Sequence, residues 1–119
     1  MGFKELNEVG VADLFYNAAI ILKERGHAKG ATLDPATGRV DARGALLLAA
    51  GAKPTKIGGQ TTTPEEAQLA TYWIPKVYIA IETIEALFDD IDEWNDSSTQ
   101  QEIIAGFRKI ENIIRIAIT

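Results

Sequence analysis

From Gly44 to Gly51 the chain reads Gly-Ala-Leu-Leu-Leu-Ala-Ala-Gly, with no polar side chain along its whole length. A helix over about Ala42 to Ala50 therefore has no wet face, so it is expected to be buried nearly all round, as the central core element, with Gly51 as its stop. Burying such a helix requires amphipathic neighbours. Val11, Leu14, Phe15, Ala18 and Leu22 recur at helical spacing and predict a first helix from about Glu8 or Val11 to Arg25, ended by Gly26. Val77, Ala80, Ile81, Ile84, Leu87, Phe88 and Ile91 hold that spacing without a miss and predict one long helix. Ile103, Phe107, Ile110, Ile114 and Ala117 make the stripe of a last helix, opened by one of two overlapping capping boxes, Ser98 with Gln101 or Thr99 with Glu102.

The joints are also legible. Asp34-Pro35-Ala36-Thr37-Gly38 has the residues of a tight turn, and its flanks, Ala31-Thr32-Leu33 and Arg39-Val40-Asp41, predict a short β-hairpin packed on the helices. Pro54 and Gly58-Gly59 mark a loop, and Thr63-Pro64-Glu65-Glu66 is a helix start, with a kink or break expected where that helix meets Pro75. The fold class that follows is mainly α: a compact bundle of four to five helices with one short β-hairpin inserted after the first. At 119 residues, a single domain over 1–119 is expected.

Chemistry is narrowed mostly by exclusion. The formal charge of −5 disfavours nucleic-acid backbones, which are bound by Lys and Arg. There is no cysteine, so no disulfide, thiol nucleophile or thiolate metal site. The N-terminus lacks the apolar run of a signal peptide, Leu6 stands where a myristoylation motif needs Ser or Thr, and no stretch is apolar for long enough to span a bilayer, so a cytoplasmic protein is expected, with no membrane partner. His27 has no second histidine and reads as a surface or C-cap residue. The run Asp89-Asp90-Ile91-Asp92-Glu93 lacks the spacing of a calcium loop and suits the start of the next helix, so no metal and no cofactor are expected. No nucleophile elbow, dinucleotide fingerprint or Walker loop occurs, which argues against an enzyme.

Two sets of residues remain as candidates. Trp94-Asn95-Asp96, placed in a connection before the last helix, either anchors that connection or presents a stacking surface, an amide and a carboxylate to a ligand; Arg39, Arg43 and Lys56 are the cations available for a phosphate. Ile104, Ile113, Ile116 and Ile118 carry apolar surface beyond the stripe of the last helix and form the candidate interface, with a homodimer expected through it.

The order Glu24-Arg25-Gly26-His27-Ala28-Lys29-Gly30, then Gly44-Ala45-Leu46, then Trp94-Asn95-Asp96 resembles a domain-of-unknown-function family of small actinobacterial and actinophage proteins. In that family the first helix ends in Arg-Gly-aromatic-x-x-Gly, and a Cys-Ala-Leu precedes the Gly-Ala-Leu element. Here His27 replaces the aromatic residue and Asp41-Ala42-Arg43 replaces the cysteine-bearing triplet. The resemblance spans roughly 11–115 and matches Arg25, Gly26, Gly30, Gly44, Ala45, Leu46, Trp94, Asn95 and Asp96. It implies an actinobacterial or phage source and a shared fold, and it implies no activity. The functional expectation is a small non-enzymatic binding protein, a phage accessory factor that docks on a host protein through an apolar helical face. The alternative is a binder that sequesters a nucleotide-like small molecule.

Overall fold

Gly26 adopts a φ of 93° and its N–H donates to the Leu22 carbonyl at 2.9 Å, which ends the first helix where the sequence places its stop. The computed structural model describes residues 2–30, 32–34, 36–51 and 74–117, with side chains from Gly10 onward. Among these residues there are five helices: α1 Gly2–Arg25, α2 Ala42–Ala49, α3 Pro75–Leu87, α4 Ile91–Ser97 and α5 Gln100–Ala117. The helix start at Thr63 and the loop around Gly58 lie outside the described residues.

The hub is α1, not α2. The five apolar residues of its predicted stripe are all buried, and the helix packs against α5, α2 and α3. Phe15 meets Phe107 of α5 with ring centroids 5.7 Å apart at 56°, a tilted pair in the middle of the core. In α2, Ala42, Ala45, Leu46 and Leu47 are buried, whereas Leu48, Ala49 and Ala50 are half-buried. Along the α1–α5 seam Arg115 bonds both Glu111 and Asp13, at 2.8 and 2.9 Å, while the Arg108 guanidinium lies over the Tyr16 ring. The other Glu111 oxygen, Oε1, sits 3.0 Å from Arg108 Nε as an ion pair.

The expected hairpin is not formed among the described residues. The turn is present, with Gly38 N–H donating to the Asp34 carbonyl at 2.8 Å, but only isolated bridges follow it, Leu33 with Val40 and His27 with Val40. The reason is length. Two antiparallel backbone bonds bracket Leu33 and Val40, Asp34 N–H to the Arg39 carbonyl at 2.8 Å and Asp41 N–H to the Thr32 carbonyl at 3.2 Å, and the pairing goes no further because Asp41 is already the cap of α2; the outward N–H and carbonyl of Val40 meet Gly26 and Ala28.

The long helix expected through Ile91 is likewise two helices. Pro75 stands at the start of α3, where its missing N–H costs nothing, and Val77, Ala80, Ile81 and Ile84 face the core. After Leu87 carboxylates take the amides a continuing helix would use: Asp89 accepts from Asp90 N–H at 2.8 Å and Glu85 from Ile91 N–H at 3.1 Å. Asp90 then caps α4 by accepting from the N–H groups of Asp92 and Glu93. Of the two overlapping capping boxes for α5, Thr99 with Glu102 is the one used, each accepting the other's backbone N–H at 3.2 and 2.9 Å.

Candidate functional site

Trp94, Asn95 and Asp96 lie within α4, not in a connection, because the carboxylate caps begin a helix at Ile91. The short helix turns Asn95 inward until it is 1% exposed. Its amide is used completely. Nδ2 donates to the Ala28 carbonyl and to Asp96 Oδ1, each at 3.0 Å, and Oδ1 accepts from the Ala42 N–H at 2.9 Å. The two acceptors facing Nδ2 fix the orientation of the amide, so His27 Nε2, 2.9 Å from Oδ1, must carry a proton and donate. One side chain thus ties the segment after α1, the first residue of α2 and helix α4 together. Asp96 adds a second tie, accepting from Gly30 N–H at 3.2 Å.

Asp41 completes this knot from the α2 side. It is 6% exposed and caps α2, accepting from Gly44 N–H at 2.7 Å. Burial pushes its carboxyl up to about 7; the Gly44 N–H and Arg43 pull the other way, and the charges of Asp92 and Asp96 add to the rise. Arg43 pairs with Asp92 across the α2–α4 boundary at 3.4 Å. Gly44 admits no other residue without movement, since a Cβ there would run into the Thr32 carbonyl oxygen.

Trp94 faces a different neighbourhood. Its ring stacks on Phe88 with centroids 4.9 Å apart at 5°, and it tilts against Phe107 at 6.0 Å. A Cβ on Gly106 of α5 would lie 2.7 Å from its Cζ2, so this glycine makes the room for the indole. Asn95, Asp96 and Arg43 therefore meet in one corner. Arg39 lies at the end of α1 instead, its side chain covering Gly26, and Lys56 is outside the described residues.

The candidate interface residues divide. Ile104 is half-buried and packs on the core, whereas Ile113 is 47% and Ile116 74% exposed. Ile104 and Ile113 are nine positions apart, about two and a half turns, which puts them on opposite sides of α5. Ile118 is outside the described residues. Sequence reasoning missed His27 and Asp41. The signal for Asp41 was present, an Asp three residues before Gly44 at N-cap spacing; for His27 there was none, because its partner is 68 positions away. Among the described residues no group of three or more His, Cys, Asp or Glu side chains is placed to hold a metal ion, and no helix is long and apolar enough to cross a membrane.

Fold and knot together define a small, mainly helical domain whose polar cluster is turned inward. The model of a family of unknown function, DUF6197, matches residues 7–112, and the chain belongs to that family. The match takes in both α2 and the Trp94-Asn95-Asp96 helix. No curated protein and no solved structure matches the chain.

Proposed function

We propose that this chain is a small non-enzymatic binding protein that docks on another polypeptide through the outer face of α5. The observation that carries this reading is the exposure of Ile113 and Ile116 on a helix whose Ile103, Phe107 and Ile110 are completely buried and whose Ile114 is half-buried. Two exposed isoleucines one turn apart on the outer face of a helix offer apolar surface that a partner can cover. The polar residues point the same way. Sequestration of a nucleotide-like ligand calls for Asn95 to offer its amide outward, and that amide already has four partners within the protein.

The finer reading rests on the resemblance to actinobacterial and actinophage proteins: an accessory factor that engages a host protein in the host cytoplasm. A second copy of the chain is the other occupant of the same face. The test is affinity capture from an actinobacterial lysate with the wild type and with Ile113→Glu, alongside light scattering of each. A partner or a dimer held by the wild type and lost in Ile113→Glu, with unchanged circular dichroism, is the expected result. A monomeric wild type that recovers nothing above background sinks the proposal.

A further inference from the structure

A second surface, on the α3–α4 corner, is built differently from the α5 face. Leu87 is 51% and Phe88 37% exposed at the point where α3 stops, and Phe88 forms a shelf with the parallel ring of Trp94. The charge around this shelf is mostly negative, with Arg43, paired to Asp92, as a cation beside it. Between Val77 and Phe107 the chain carries eight of its 17 carboxylates and no lysine or arginine. Glu82, Glu85, Asp89, Asp90 and Glu93 are all exposed, and of the corner's acids Asp92 alone forms an ion pair among the described residues.

An apolar aromatic shelf within a negative field selects its partner by both properties. Nucleic acid is repelled, and an acidic protein surface is repelled with it. A lone metal or amine gains nothing from Leu87. A helical segment with leucine-like residues on one side and arginines beside them satisfies both: its apolar side covers Leu87 and Phe88, its guanidinium groups meet the carboxylates, and one of them can lie flat on the aromatic shelf. We infer that the α3–α4 corner is a docking surface for a cationic amphipathic segment of a partner protein, with Leu87 and the Phe88–Trp94 stack as its apolar floor. This surface is separate from the outer face of α5 and does not depend on it.

The probe is a fluorescein-labelled amphipathic peptide of leucine and arginine, with a control in which every arginine is glutamate, titrated with the full-length protein and read by anisotropy. The arginine peptide is expected to bind and the glutamate peptide is not, with affinity falling as salt rises. Leu87→Ser leaves the charge unchanged and is expected to weaken binding about tenfold, the scale of losing one leucine's burial. Glu93→Gln is expected to weaken it less and to flatten the salt dependence. Ile113→Glu is expected to leave it unaltered, which separates this surface from the one on α5. Failure of the arginine peptide to bind, equal binding of both peptides, or wild-type affinity in Leu87→Ser overturns the proposal.

Discussion

Asn95 and Ile113 stand on consecutive helices and are fitted to opposite tasks. Asn95 is polar and 1% exposed, with every donor and acceptor of its amide engaged; Ile113 is apolar and about half exposed. The buried amide departs from the ordinary preference of polar groups for the surface, whereas a single exposed apolar side chain is common. The buried amide is explained within the molecule, because three segments converge on it and their backbone groups need partners. Among the described residues no such internal role accounts for the exposed isoleucine. Polar residues that look like a ligand site can be fully employed in holding a fold together.

The largest expected effect of breaking this contrast is at the knot. Asn95→Ala removes four hydrogen bonds and strands the buried Ala42 N–H, so a loss of about 3–5 kcal/mol is expected in urea unfolding. A loss below about 1 kcal/mol would show that the knot is incidental to the fold. Gly44→Ala follows at about 2–3 kcal/mol, because its Cβ meets backbone that has little freedom to yield.

A third test uses pH. Asp41 keeps its proton in the folded chain up to about 7, whereas its ordinary value is 3.8, so the folded state holds more protons between those limits. Stability from this group is thus complete below about pH 4 and is lost as pH rises through about 7. Asp41→Asn retains an oxygen for the Gly44 N–H and carries no charge, so thermal unfolding of this variant should match the wild type near pH 4 and exceed it by several degrees near pH 8. Equal melting at both pH values would place the Asp41 carboxylate in a wetter site than its 6% exposure implies. The smallest effect is at the opposite pole. Ile113→Glu on the outer face of α5 should change unfolding free energy by no more than about 0.5 kcal/mol.

Several features that depend on neighbours along the chain were legible in the sequence. The buried stripe of α1, the stop at Gly26 and the Thr99–Glu102 box each rest on residues within a few positions of one another. The break after Leu87 was hidden, because Ile84 and Ile91 sit seven apart and keep helical phase across it, although carboxylates end one helix and start the next. Of the expected hairpin the described residues show the turn and a single antiparallel bridge, because the cap of α2 follows at Asp41. The knot was out of reach, since three of the four partners of Asn95 lie 53 to 68 positions away and no periodicity records such a distance. The two sides of α5 follow from spacing alone, and the sorting of Ile104 from Ile113 needed only the packing of α1 to orient it.

The most direct measurement is site-specific photocrosslinking in actinobacterial cells, with benzoylphenylalanine at position 113 and, in a parallel strain, at position 39. Docking through the outer face of α5 predicts a discrete crosslinked species from position 113 and none from position 39, its mass telling a second copy from another protein. No adduct at 113, or the same adduct from both positions, would contradict the assignment of this face.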